Sequence, residues 1–205
     1  MLEKKIPINK NYKQLIGLKY FVINKNYEKK TYEYKKINNY DFLVMLGGGV
    51  GYENYFRNII IFLNKYYIDF KIKIIVGPGV NLKLINFINK FLPNVEIVKF
   101  VNYPEIYFKK AKIGIIGGGY SKYEVAYFNL PSIIIPVQEH QKSISKVFCN
   151  KGCGLYHDVE NSSDKKLKLK IDTLLFDSKK YKNMKILQKK LIDGKALERI
   201  MRYID

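Results

Sequence analysis

From about Asp41 onward, short, nearly continuous apolar runs alternate with longer stretches in which apolar residues recur every three or four positions. Runs of the first kind suit strands buried on both faces, and stretches of the second kind suit helices with one apolar side. The runs fall at 42–46, 72–76, 95–98, 113–116 and 132–136. Between them, Tyr55, Ile59, Leu63 and Tyr66 mark one helix, and Leu82, Ile85, Ile88 and Phe91 mark another that stops near Pro93. A short helix is expected over 104–110, others over 121–128 and 141–150, and closing helices after Ser163. Strands alternating with helices predict an α/β fold, a doubly wound parallel sheet of Rossmann-like form covered on both faces. The first forty residues break the alternation: they are polar and hold one apolar piece, Tyr20 to Ile23. They read as an N-terminal arm or interdomain linker (1–40) leading into the folded domain (41–205).

A length of 205 residues and a hydrophobic fraction of 47% suit one packed domain. No apolar run approaches the roughly 18 residues that a membrane-spanning helix needs, and the opening residues lack the apolar stretch of a signal peptide. Cys149 and Cys153 are too few for a disulfide scaffold, so a reducing, cytoplasmic setting is expected. The net charge of +19 raises the question of nucleic acid. Only Arg57, Arg199 and Arg202 are arginines, however, and the lysines are scattered rather than massed, which disfavours that ligand. Docking to an acidic partner or peripheral association with an anionic membrane would use the same charge.

Three segments carry chemistry. In the first, Gly117-Gly118-Gly119-Tyr120-Ser121 joins a strand to a helix, with Glu124 one turn further on. Glycines there let backbone N–H groups approach a ligand, and a helix start favours phosphate. Glu124 is placed to accept hydrogen bonds from a ribose diol. The alternative is a capping box, in which Ser121 and Glu124 satisfy backbone donors and touch no ligand. The second segment, Gly47-Gly48-Gly49-Val50-Gly51, opens at the same sheet edge and offers Gly48 and Gly49 to a distal phosphate or sugar, or is simply a tight connector. Neither turn is a Walker loop or a dinucleotide fingerprint, which argues against ATP and NAD. In the third segment, Glu139, His140 and Gln141 cluster just past the last strand, where polar side chains suit sugar hydroxyls or a diphosphate. His140 is the one candidate for a catalytic base; a lone His at a helix start reads better as a capping or orienting group. No metal set, cofactor motif or catalytic triad stands out, so binding is better supported than reaction.

In order, these segments resemble the C-terminal half of GT-B-type UDP-sugar enzymes, and most of all the UDP-sugar hydrolases of pseudaminic acid biosynthesis. Gly17, Tyr20, Ile23 and Tyr27 match that family's interdomain segment, and Leu46 to Gly49 its first glycine turn. Gly117 to Glu124 is similar to its A/G-G-G-S-T-x-x-E, Leu130 to Gln141 to its L-P-x-x-x-I-x-x-x-x-x-Q, and Asp193 to Arg199 to its D-G-x-G-x-x-R. The resemblance implies that the turn at 118–121 holds a diphosphate and Glu124 the ribose. It also implies that backbone near Phe100 and Val101 faces uracil, with Gln141 beside the phosphates or sugar. The chain departs from the family at Tyr120, where a small Ser or Thr is usual and a ring is expected to crowd a phosphate. Val50 stands where the first turn has a hydroxyl, and His140 where an Asn is usual. The family's Gly-x-Gly-His, whose His serves as general base, does not occur in this sequence. The resemblance therefore implies a UDP-sugar-binding half needing a partner polypeptide with the N-terminal domain. It would act as a hydrolase or, alternatively, as the donor-binding subunit of a two-subunit glycosyltransferase; the remaining alternative is a non-catalytic binding module or a basic nucleic-acid binder.

Overall fold

The structure, a computed structural model, describes residues 14–24, 27, 39–48, 51–92, 94–99 and 101–203. Six parallel strands form one sheet: β1 Tyr40–Met45, β2 Ile72–Val76, β3 Val95–Lys99, β4 Ala111–Gly117, β5 Ser132–Ile135 and β6 Leu155–Tyr156. Their order is β3-β2-β1-β4-β5-β6. The chain winds outward from β1 to one side, then crosses back to β4 and winds to the other. Ligands in such sheets sit beyond the carboxyl ends of the strands, near that reversal. Among the described residues, eight helices connect and cover the strands: α1 Glu53–Tyr67, α2 Leu82–Phe91, α3 Glu105–Lys110, α4 Ser121–Tyr127, α5 Glu139–Asn150, α6 Asp164–Phe176, α7 Ser178–Leu191 and α8 Ala196–Met201. None is long and apolar enough to cross a membrane.

Strand side chains alternate between faces, and both faces are dry. Phe42, Val44, Ile72, Ile74, Ile113, Ile115, Ile133 and Ile135 pack under α1, α2 and α6. Leu43, Met45, Ile75, Ile116 and Ile134 pack under α3, α4 and α5, together with Ile23 and Tyr27 from the N-terminal segment. Fully burying each such aliphatic or aromatic side chain stabilises the fold by about 1.5–3 kcal/mol. This double burial is why the strands read as nearly continuous apolar runs. Lys73 lies on the second face, buried, paired with Glu96 and flanked by the rings of Tyr40 and Tyr107.

The five expected strands are present, and β6 adds a sixth. It is two residues long, pairs with β5 at Ile133 and Ile134, and has no apolar run to announce it. Leu18–Tyr20, at the start of the expected apolar piece, form a 3-10 turn. It follows Gly17, whose φ of 104° suits glycine. Arg199 of α8 pairs with Asp193 and donates to the Lys19 carbonyl at 3.0 Å, clasping this segment to the domain.

Candidate functional site

At the carboxyl edge the turns after β1, β2 and β4 touch. A Cβ on Gly77 would lie 2.0 Å from the Gly48 Cα, and one on Gly117 would lie 2.3 Å from the Leu46 carbonyl oxygen. Any side chain would therefore force these turns apart. Gly118 is crowded too, with Ser145 Oγ, Pro136 Cα and Gln141 Cβ all near the place of its missing Cβ. Gly119 differs. A Cβ there would meet only Gln141 Nε2, at 3.8 Å, so packing does not require glycine at this position. The N–H groups of Gly119 and Tyr120 have no acceptor among the described residues.

Two cavities flank this turn. One, of about 340 Å³, is lined by Gly47, Gly48, Gly77, Pro78, Val101, Asn102, Tyr27, Ser121 and Glu124, among others. The second, of about 580 Å³, is lined by Gly118, Gly119, Tyr120, Lys122, Tyr123, His140, Gln141 and Ile144, with residues of the Leu15–Phe21 segment as its far wall. Ten of the twelve residues singled out in the sequence are in described regions, and nine of those line one cavity or the other. Gly49 and Phe100 lie outside the described residues. Glu139 lines neither cavity; its carboxylate pairs with Lys142 at 2.7 Å on the exposed side of α5.

Helix α4 has seven residues and ends where Asn129 turns left-handed, with φ of 55°, ahead of Pro131. Its N-cap is Tyr120, which makes no side-chain cap, and Ser121 is already helical. The capping box between Ser121 and Glu124 does not form. Glu124 instead accepts a hydrogen bond from Tyr27 Oη at 2.9 Å, through Oε1. Burial raises its carboxyl above the usual range; the Tyr27 bond pulls it back, and the nearby Glu105 adds to the rise. The Tyr120 ring is 76% exposed and leans toward Phe21, 5.8 Å between centroids, so it lies beside the turn without plugging it.

Gln141 is buried at the start of α5, and its Oε1 accepts from the Val137 N–H at 3.1 Å. That bond directs the Nε2 donors at Gly119 and the larger cavity. His140, one position earlier, is exposed at the cavity mouth. Lys122 is a residue the sequence reasoning missed. It is 2% exposed, yet its Nζ donates to the carbonyls of Gly118 at 2.6 Å and Gly119 at 3.0 Å. Burial pushes its ammonium down to about 8. A lysine one turn into a helix reads as solvent-facing, and only the curl of the preceding turn draws it inward. No cluster of metal-ligating side chains is present among the described residues.

Six parallel strands in this order, with glycine turns and two cavities along one edge, define a Rossmann-like α/β domain of the GT-B kind. Solved structures bear out the fold. The chain is 15% identical to Acinetobacter baumannii MurG, with a TM-score of 0.64 over 80% of this chain and 51% of that one. It is 19% identical to Staphylococcus aureus MnaA in its co-structure with UDP, with a TM-score of 0.61 over 96% of this chain and 49% of that one. A UDP-N-acetylglucosamine 2-epimerase aligns with a TM-score of 0.60 at 13% identity, over 81% and 43% of the two chains. The chain spans about half of the length of these structures, from 43% to 51%. Residues 42–200 match the glycosyltransferase family 28 C-terminal domain, and the chain belongs to that family. No match is found among curated proteins.

Proposed function

We propose that this domain binds the UDP part of a UDP-sugar and serves as the donor-binding half of a nucleotide-sugar enzyme. The observation that carries the reading is the pair of cavities on either side of residues 118–121, with open amide donors in the turn and a carboxylate beside it. In this reading the smaller cavity takes uracil and ribose, with Val101 against the base and Glu124 accepting from the diol. The diphosphate crosses the turn at Gly118, Gly119, Tyr120 and Ser121, with Gly48 at its distal end. The sugar enters the larger cavity, toward Gln141 and His140. The MnaA structure with UDP supports the ligand class, since its fold is similar over nearly all of this chain. An incoming water or hydroxyl needs a base, which a separate domain or partner polypeptide supplies.

Within that class, the ordered motifs from Gly17 to Arg199 support a hydrolase of the pseudaminic acid kind. The family 28 match favours the second reading, a donor-binding subunit of a glycosyltransferase. The two differ in acceptor, water or a sugar or lipid hydroxyl, so supplying each with the partner domain separates them. The primary test is calorimetric titration of the chain with UDP and UDP-N-acetylhexosamines. Binding in the range of about 1 µM to 1 mM is expected, and silence toward all of them, with or without the partner, overturns the proposal.

A further inference from the structure

Lys122 stands out against the rest of the molecule. Among the described basic residues only Lys73 and Lys122 are buried; Lys73 pairs with Glu96, whereas Lys122 has no carboxylate within ion-pairing distance among the described residues. Burying an ammonium is costly unless its donors are satisfied and its charge is balanced. The donors are satisfied by two carbonyls, and the Tyr123 ring lies 4.1 Å from Nζ. The charge is not balanced.

The two carbonyls belong to Gly118 and Gly119. In a trans peptide the C=O of one residue and the N–H of the next point in opposite directions. Drawing these two oxygens toward Lys122 therefore turns the N–H groups of Gly119 and Tyr120 the other way. Neither of those two amides has an acceptor among the described residues. Glycine at 118 and 119 has little to hold its peptide planes in place. The carbonyl of Gly118 has one further contact, Ser145 Oγ at 3.5 Å. Lys122 is thus the main restraint on the orientation of both amides.

We infer that Lys122 is a positioning residue for an anionic ligand, its ammonium aiming the Gly119 and Tyr120 amides at a diphosphate whose negative charge supplies the missing balance. The inference rests on the nucleotide-sugar reading above and adds a dependence on protonation. Neutral Lys122 gains a lone pair and keeps two uncharged, weaker N–H donors, so it holds the two carbonyls less firmly and contributes no charge. The groups facing it are the Cys149 thiol from α5 and the phenol of Tyr123, with His140 and Tyr120 around the same cavity. Burial holds Cys149 and Tyr123 protonated to about 12, so neither titrates where Lys122 does. Bound anion raises the Lys122 pKa, so affinity for a diphosphate falls as pH rises above about 8.

The test titrates UDP and uridine into wild-type chain and Lys122→Met at about pH 7.5 and about pH 8.5, where the diphosphate is fully ionised, since phosphate second ionisation lies near 6, and the uracil imide still holds its proton. Methionine keeps the buried stem and removes charge and donors; circular dichroism and thermal melts verify its fold, and Lys122→Gln serves as a second variant. Wild type is expected to lose roughly threefold in UDP affinity between the two conditions, the limit for one linked proton lost at about 8. The variants are expected to bind UDP about tenfold more weakly at the lower pH, with the pH slope gone and uridine unaffected. Equal UDP affinity in wild type and variants, or a slope that survives in the variants, overturns the role of Lys122 alone. A wild-type chain that binds neither uridine nor UDP overturns the nucleotide reading as well.

Discussion

Tyr27 and Glu124, 97 positions apart in the chain, meet through a 2.9 Å hydrogen bond from the phenol to the carboxylate. Both line the smaller cavity, and Tyr27 is otherwise buried against Phe128. The bond ties the N-terminal segment to the helix that carries the proposed ribose contact. It occupies Oε1 and leaves Oε2 for a ligand. Removing the donor with Tyr27→Phe should lower stability by about 1 kcal/mol and raise the Glu124 carboxyl further. Urea unfolding and a carbon-detected NMR titration of Glu124 measure the two effects.

Glu124→Ala separates ligand binding from folding. A carboxylate that accepts from a ribose diol should, when removed, weaken both uridine and UDP by tenfold or more, about 1.5–3 kcal/mol for bonds to a charged acceptor. The stability cost should be only that of the lost Tyr27 bond. Calorimetry and urea melts on the same preparation distinguish this from a purely structural carboxylate, which would cost stability and leave uridine untouched.

The neighbouring glycines make a sharper pair. Gly119→Ala places a methyl where only Gln141 Nε2 is near, so the fold should tolerate it with a stability change under about 0.5 kcal/mol. The methyl projects into the larger cavity and should weaken UDP tenfold or more. Gly118→Ala instead drives a methyl into Ser145, Pro136 and Gln141, and should cost about 1–3 kcal/mol of stability. Thermal melts and UDP titrations should give opposite rankings for the two variants.

Glu105 is 2% exposed, and neither carboxylate oxygen has a hydrogen-bond donor among the described residues. Its charge also works against Glu124 and Tyr27. Glu105→Gln keeps the shape and removes the charge. It should stabilise the domain by about 1 kcal/mol and bring the Glu124 carboxyl closer to its ordinary value. A lower melting temperature would show that a solvating partner had been overlooked.

His157, at the end of β6, is 2% exposed, and its Nδ1 has no partner among the described residues. Burial, with help from the Lys170 charge, pushes its imidazole down from 6.5 to about 4. As pH falls below 6.5 the unfolded chain takes up the proton first, so stability is complete above that value and drains away toward about 4. From pH 7 to pH 5 the loss should be about 1–2 kcal/mol. Glu124 acts in the opposite sense, because a raised carboxyl loses stability as pH rises. Comparing wild type with His157→Leu across pH by urea unfolding isolates the histidine, whose removal should flatten the acid limb.

Much of this architecture was legible before any coordinates. Phe42 to Met45 is buried at all four positions, and such a strand can hardly be written except as an unbroken apolar run. Phe56, Ile59, Ile60 and Leu63 keep helical spacing because α1 buries a single face. β6 escaped because two residues bonded to one neighbour leave no pattern. Within the site, Glu124 and Gln141 were visible because strand-to-helix junctions concentrate chemistry. Lys122 was not, since a buried lysine and a solvated one are spelled alike. Nor does the sequence show that crowding accounts for glycine at 77, 117 and 118 but not at 119; that follows only from what each missing Cβ would strike.

The ridge formed by residues 118–121 is four residues thick and has a hollow on each side. Small molecules that each fill one hollow would not compete, and a short tether over the ridge would make the second encounter intramolecular. For a short flexible tether the effective concentration is in the millimolar range. Two feeble fragments, one nucleoside-like and one aromatic, would then combine into an inhibitor far tighter than either, and their joint grip would report directly on whether the ridge is crossed by a single natural ligand.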